Sequence, residues 1–414
     1  MAFNVDYYMR ALLIATGYLP YTFSENLCNA KLVYALQQSG WEVDVISRVD
    51  EGNTYSSEWQ EPWLCLKPNV HEVTYPVGNK LVRTWDLLHS TLLMGGFPLS
   101  GIRWARRAYQ KAVELHKEKH YDLILTRSPN DVPHIVGYKL KQCFGVRWIA
   151  NWNDPSATIW PEPYTHHFSA SKAKMLEKYT IQCLKGADVN TFPSQSLLDH
   201  FKEHFPFLCN QETKVIPHIA LWESLYTPTK RVKKDKLYLC HSGNLSAERN
   251  PELMFRAMRE LVDEGYTRMQ LDIMGHINDY TRELIDKYSL ADYVGCAGSY
   301  PYMEAVTRLL DYDVLVLLEA RLQRGIFFAS KFTDYAQSTR PILAVSPKEG
   351  FAHDMIAQYG GGVFVDNQDC KDIKRGLLEL YKAWESDKLS DVYDTRTLYR
   401  EFSVQKVVKI YNSL

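Results

Sequence analysis

Along the chain, short runs of unbroken apolar residues alternate with longer stretches whose apolar positions recur every three or four residues. RALLIAT (10–16) is the first run and reads as a buried strand. The turn GYLPYTFS follows, with Ser24 expected as an N-cap. Asn26–Ser39 then places Leu27, Ala30, Val33 and Leu36 on one helical face. Gly40 closes that helix, and WEVDVIS is the next strand. The alternation continues through YDLILTR (121–127), HIVGYKLKQCFG, VRWIANW, a helix over 171–185, ADVNTFPS with Ser194 as cap, and KVIPH (214–218). A polar stretch, TPTKRVKKDK (227–236), precedes a second series: LYLCHSG, NPELMFRAMRELVDEG, MQLDIMG, YTRELIDKYSL, YVGCAGS, PYMEAVTRLL and YDVLVLLE. A helix opening at Ser330 comes next, then PILAVSP, FAHDMIAQYG, GGVFVD and CKDIKRGLLELYKAW. Strand and helix alternate in both series. That predicts an α/β protein of two doubly wound, Rossmann-like domains facing a central cleft, residues 1–218 and 219–394, with 395–414 as a helix crossing back to the first. Such sheets bind ligands at the carboxyl ends of their strands, so the strand-to-helix turns are where chemistry is sought.

Composition narrows the partners. The length of 414 residues suits two domains rather than one core. A formal net charge of −1 gives no long-range field for nucleic acid, so any anion has to be held locally. Eight cysteines stand singly with no C-x-x-C pair, which argues against a zinc or redox site and suits a reducing compartment. The apolar part of MAFNVDYYMRALLIATG is too short for a signal peptide, and no stretch approaches the ~20 apolar residues of a membrane span; a cytoplasmic protein is expected, at most peripheral to a membrane. Residues 57–107 are rich in aromatics, Tyr75 among them. Within 85–107, Trp85, Leu87, Leu88, Leu92, Leu93, Met94, Phe97, Ile102 and Trp104 are flanked by Arg83, Arg103, Arg106 and Arg107. Apolar residues among cations suit a membrane surface; a helix packed on the core, with a loop at GGFPLSG, is the other reading.

Two turns of the second series hold candidate chemistry. In HSGNLSAERNPELMF (241–255) a strand ends, Gly243 permits close backbone approach, and a helix begins near Asn250–Pro251. Arg249 sits near that helix start, where the helix dipole is already positive; a bound anion would relieve the repulsion, and a surface arginine beside an ordinary turn is the alternative. GIFFASKFTDYAQSTRP (325–341) repeats the arrangement, with Ser330 as N-cap, Lys331 in the first turn and Asp334 following. Together they describe a diphosphate pocket built from helix N-termini, Arg249 and Lys331. AGSYP (297–301) is a strand-to-helix turn with Pro301 at the helix start. In the first series, Gly17, Ser24 and Asn26 belong to the first turn, and Arg127 ends a strand. Asp154, in NWNDPSATIWPEPY, is either an acid of the site or a turn former before Pro155. His218 reads equally as a structural residue.

In this order and spacing, SGNLSAERNPELMFRAM, LDIMG, YVGCAGSYPYMEAVTRLLDYDVLVL, GIFFASKFTDYAQSTRPILAV, GWEVDVIS, GVRWIANWNDP and LKGADVNTFPSQSLLDHF resemble the retaining GT-B glycosyltransferases of family 4, the "glycosyltransferase group 1" type, over nearly the whole chain. The resemblance implies that Gly243 and Leu245 keep the family's diphosphate turn. Asn244 replaces its arginine, as in a branch that transfers N-acetylated sugars, and Arg249 stands for its lysine. Asp334, seven before Pro341, matches the acid that holds the ribose hydroxyls, where a carboxylate can accept two hydrogen bonds. The family's first glutamate would fall at Ile326 and is absent; the branch's Ser-Lys pair is matched by Ser330 and Lys331. Sugar contacts then fall to Glu319 or Arg324. The AGSYP loop, with Ser299, matches the base-binding turn, and Asp154 matches the acid of an Asp-x-x-Asp-Pro stretch whose first position is Asn151.

The resemblance implies transfer of a sugar, with retention, from a nucleotide-diphosphate donor (UDP-sugar favoured) to a saccharide or lipid-linked saccharide in surface polysaccharide or glycan assembly. Arg249, Lys331 and Asp154 are the expected catalytic residues; Gly17, Asn26 and Arg127 lie on the acceptor side. Arg249 and Lys331 stand in for Mg²⁺ on the leaving diphosphate, no acidic metal-binding triad such as D-x-D is evident, and neither metal nor other cofactor is expected. A nucleotide-sugar-binding subunit without catalysis and a GT-B-like nucleotide-sugar 2-epimerase are the alternatives.

Overall fold

A computed structural model describes residues 9–21, 23–48, 59–74, 78–128 and 131–414. Tyr75 lies outside the described residues. The chain divides into two compact units, Met1–Pro217 with Val408–Leu414, and His218–Val407.

The first unit is a seven-stranded parallel sheet, β1 (Arg10–Ala15), β2 (Glu42–Arg48), β3 (Val70–Val73), β4 (Leu123–Arg127), β5 (Arg147–Asn151), β6 (Val189–Phe192) and β7 (Thr213–Val215), in the order β3-β2-β1-β4-β5-β6-β7. Its helices are α1 (Ser24–Gln38), α2 (Lys80–Leu93), α3 (Ile102–Lys119), α4 (Pro133–Phe144), α5 (Ala170–Gly186) and α6 (Gln195–His204). Ala11 to Ala15 are all buried, because helices cover both faces of the central strands and leave no polar side to alternate with. Trp104, Trp148 and Trp152 fill the layers on either side. Strand order reverses between β1 and β4, which opens a crevice at their carboxyl ends. Ser24 begins α1 itself: the N-cap position is Phe23 and no side chain caps the helix, a correction to the expected Ser24 cap. Ser194 does cap α6, accepting from the Leu197 N–H at 3.2 Å.

The second unit is a six-stranded parallel sheet, β8 (Leu237–Ser242), β9 (Met269–Met274), β10 (Val294–Cys296), β11 (Val314–Leu318), β12 (Ile342–Ser346) and β13 (Gly362–Asp366), ordered β10-β9-β8-β11-β12-β13. Period-two alternation sends Leu239, Val314, Val316, Leu318, Leu343 and Val345 into one core layer, and Cys240, Leu315, Leu317, Ile342 and Ala344 into the other. Helices α7 (Glu252–Asp263), α8 (Asp279–Lys287) and α12 (Cys370–Glu385) contribute to the first layer. The second holds an aromatic nest of Phe328, Phe332, Phe351 and Phe402, in which Phe328 and Phe351 stack at 3.9 Å between centroids. Its helices include α9 (Tyr302–Arg308), α10 (Lys331–Gln337) and α11 (Phe351–Tyr359). Beyond α12 come α13 (Leu389–Val392), α14 (Arg396–Arg400) and α15 (Val404–Tyr411). The single helix expected over 395–414 is therefore two, α14 and α15, and the part that joins the first unit is Val408–Leu414. There the Trp41 indole donates to Asn412 Oδ1 at 2.9 Å.

Candidate active site

In the second unit the sheet reverses between β8 and β11, and the expected donor residues collect at the carboxyl ends of those strands. Gly243 follows β8 at φ +122°, a conformation only glycine adopts freely, and its N–H donates to Met274 O at 2.8 Å. A Cβ there would stand 2.5 Å from Lys331 Nζ, so the lysine lies across the turn in the space a side chain would take. Lys331 opens α10 and its amine donates to the Ser242 carbonyl. Burial, and next the positive charge of Arg249, pull the Lys331 amine down to about 7, against the opposing Cys240, Glu319 and Asp334. Glu319, just past β11, is pushed up to about 7 by burial, with Arg249 and Lys331 pulling the other way. Beneath them the buried His241 imidazole, Nδ1 3.0 Å from Val316 O, is held far below its usual range by burial and by the same two cations.

This rim carries polar atoms left unpaired. Among the described residues Glu319 Oε2, Arg321 Nε and Nη2, the Ser346 hydroxyl, Asn367 Oδ1 and His241 Nε2 are buried without a hydrogen-bond partner. Except His241, all lie just beyond or at the carboxyl ends of β11, β12 and β13. Buried polar atoms are mostly satisfied, and these stand together along the carboxyl edge of the sheet, where a polar ligand could supply the missing bonds. Arg321 was missed by sequence reading. It lies in ARLQRG, which has no periodicity, yet it reaches electrostatically to Glu252 in the first turn of α7.

Other expected donor residues have different tasks. Asn244 is exposed, and its Oδ1 accepts from the His276 N–H at 2.9 Å, tying the β8 turn to the β9 turn. Arg249 is exposed, with its own N–H on the Ser246 hydroxyl at 3.2 Å. Ser330 occupies the N-cap position in helical geometry and makes no side-chain cap bond, a correction to its expected capping role. Asp334 is buried inside α10 and accepts from the Tyr302 hydroxyl at 2.8 Å. Ser299 is exposed in the turn before α9, and Ile326, where the resemblance would place a glutamate, is buried. His218 is buried against the Phe328 ring. D-x-D spacing does occur once, at Asp311–Tyr312–Asp313, but at the amino end of β11. There Asp313 accepts from Arg231 at 2.8 Å and from the Tyr238 N–H at 3.0 Å, fastening the sheet.

In the first unit Arg127, at the end of β4, is buried and donates to Asn29 Oδ1 and to Glu25 Oε1, the latter at 3.4 Å. Asn153 also donates to Glu25. Burial pushes the Glu25 carboxyl up to about 7; Arg127 lowers it and Asp154 raises it. Asp131 is pushed to about 8 by burial and by Asp154, and its Oδ1 has no partner among the described residues. It lines a cavity of about 330 Å³ with Ser100, Pro155, Trp160, His166 and Tyr179. Neither Glu25 nor Asp131 carried a sequence signal, since Glu25 is one acid in the first turn of α1 and Asp131 one acid in a polar turn. Gly17 and Asn26 form the first turn itself: Asn26 Nδ2 donates to the carbonyls of Tyr18 at 3.1 Å and Tyr21 at 2.7 Å. A Cβ on Gly17 would collide with the Asn26 amide.

Comparison with known proteins bears on the fold. The chain matches none of the curated protein sequences. Among solved structures it resembles sucrose-phosphate synthase from Thermosynechococcus elongatus, with 16% identity, a TM-score of 0.69 and 98% of each chain covered. The catalytic domain of starch synthase IV from Arabidopsis thaliana, bound to ADP and acarbose, gives 12% identity and 0.67, again over 98% of both chains. Anabaena HepE in complex with UDP and glucose gives 15% and 0.64, over 98% of this chain and 100% of the other. The fold is GT-B, with two Rossmann-like domains, and residues 226–392, most of the second unit, match the family model described as glycosyl transferases group 1.

Proposed function

We propose that this protein is a retaining, metal-independent glycosyltransferase that moves a sugar from a nucleoside-diphosphate donor, UDP-sugar before others, to a saccharide or lipid-linked saccharide acceptor of surface glycan assembly. The observation that carries the reading is Lys331, laid across Gly243 and held low in proton affinity by burial and by Arg249, beside orphaned polar atoms of Glu319, Arg321, Ser346 and Asn367. A buried amine with a second cation near it suits an anion. The bond from the anomeric carbon to the diphosphate breaks as negative charge gathers on the leaving oxygens, and Arg249 and Lys331 stabilise that charge. Arg321 adds a third cation on the same rim. Glu319 and Asn367 are then the groups for sugar hydroxyls, and Asp334 for the ribose. The leaving phosphate oxygen takes the proton of the acceptor hydroxyl as the new glycosidic bond forms on the same face. Acceptor hydroxyls fall to Asp131 and Glu25, whose raised affinity for protons suits them to either end of a hydrogen bond, and Trp160 offers a sugar ring an apolar wall. The likeness to a protein solved with UDP and glucose supports uridine, and the likeness to one bound to ADP makes adenine the base to test against it.

Thermal unfolding with UDP, GDP, ADP and TDP, with and without Mg²⁺, tests the donor site. One nucleotide should raise the melting temperature without metal, by an amount equivalent to about 2.7 kcal/mol at a hundredfold excess over its dissociation constant, and Lys331→Ala should abolish the rise. No shift with any nucleotide overturns the reading. Release of free nucleoside diphosphate in the presence of an acceptor separates a transferase from a non-catalytic binder, the alternative that Ile326 in place of a glutamate leaves open.

A further inference from the structure

Helix α2 is built inside out. Its buried positions are Asp86 and Ser90, while Leu81, Trp85, Leu88 and Leu92 are 82%, 71%, 54% and 76% exposed. These four recur at intervals of four, three and four residues and so form one stripe along the helix. Val82, Leu87 and Leu93 widen it. A surface helix of a globular protein turns its apolar face inward, and here the polar face is inward by construction. Asp86 is gripped by Arg103 at 2.5 Å, Arg106 at 2.9 Å and Arg107 at 3.2 Å, all from α3. That carboxylate fixes which way α2 faces. The apolar patch expected over 85–107 is thereby narrowed: Met94, Phe97, Ile102 and Trp104 are buried, and the exposed apolar surface belongs to α2 alone.

Charge selects the occupant. On α2 the exposed charges are Lys80 and Arg83, both cations, and beneath the helix Arg103, Arg106 and Arg107 outnumber the one acid they grip, Asp86, in a chain whose net charge is −1. Two copies of so basic a face would repel, whereas anionic headgroups would be attracted. None of the helices of the described residues is long and apolar enough to cross a membrane, so this one would lie on the surface. We propose that α2 docks on an anionic lipid surface, with Leu81, Trp85, Leu88 and Leu92 entering the acyl boundary and Lys80 and Arg83 meeting lipid phosphates. The inference stands apart from the donor site and does not depend on the transferase reading.

Sedimentation of the full chain with phosphatidylcholine vesicles, with and without phosphatidylglycerol, tests it. Binding should be at least about tenfold tighter to the anionic vesicles and weaken with salt. Trp85→Ser/Leu88→Ser, both at exposed positions, should keep the melting temperature and lose at least about tenfold in affinity. Lys80→Ser/Arg83→Ser, a second variant free of any packing change, should lose the preference for phosphatidylglycerol. Lipids brominated in their acyl chains should quench wild-type tryptophan fluorescence, and Trp85→Phe should bind while losing most of that quenching. Equal or absent binding to the two vesicle types overturns the proposal. So does an apolar variant that leaves vesicle binding intact while light scattering shows a wild-type dimer becoming a monomer, which would assign the stripe to a second copy of the chain.

Discussion

Lys331 is an amine held where its own charge is unwelcome. Its affinity for protons is lowered to about 7, by burial first and Arg249 second, so a bound diphosphate would restore the charge that the folded protein resists. Two consequences have definite signs. Nucleoside diphosphate affinity should fall by roughly tenfold between about pH 7 and 8.5 as the free amine loses its proton, and Lys331→Arg should flatten that profile; calorimetric titration across this range checks it. A folded-state value below the unfolded one means that the folded chain binds fewer protons between about 7 and the ordinary lysine range near 10.4, so its stability rises with pH across that window. Lys331→Met should therefore raise the melting temperature near neutral pH, lose the gain towards alkaline pH, and cut transfer by about 10²–10³. A destabilised Lys331→Met at pH 7 would show that the amine is not held against its charge.

At the scale of elements, the β1–α1 turn depends on Asn26, whose amide donates to two backbone carbonyls. Asn26→Ala should cost about 2 kcal/mol, lowering the melting temperature by roughly 4–8 °C, while nucleotide binding by the second unit persists. Loss of nucleotide binding at unchanged stability would instead make Asn26 a ligand residue. This turn also marks how far the sequence could be read. Strands and helices were legible because parallel strands covered on both faces leave bare apolar runs, as in Ala11–Ala15 and Val314–Leu318. Lys331 stood out in the sequence because a cation in the first turn of a helix contradicts the helix dipole, and it does open α10 and lie across Gly243. Glu25, Asp131 and Arg321 did not stand out, since their significance lies in burial and missing partners, which only the tertiary fold creates. The shortness of α10 and the uncapped Ser330 were hidden for a related reason: Phe332 to Gln337 are buried, so packing rather than a cap sets where that helix begins.

At the scale of the whole molecule, the donor turn and the α10 turn are some ninety residues apart in sequence and are joined by the parallel pairing of β8 with β11. Hydrogen exchange with UDP present should accordingly slow in two separated segments, 242–250 and 319–331; protection confined to one of them would break the single-site picture. The division into units carries a different consequence, for the order of events during synthesis. Residues Val408–Leu414 belong to the first unit, though 190 residues, from His218 to Val407, are made before them. At a translation rate of about 5–20 residues per second, the first unit waits on the order of 10–40 s for its last piece, the one that brings Asn412 to Trp41. The nascent first unit is thus a waiting intermediate, and anything that shields its unfinished surface, a chaperone above all, acts in that interval and not after release.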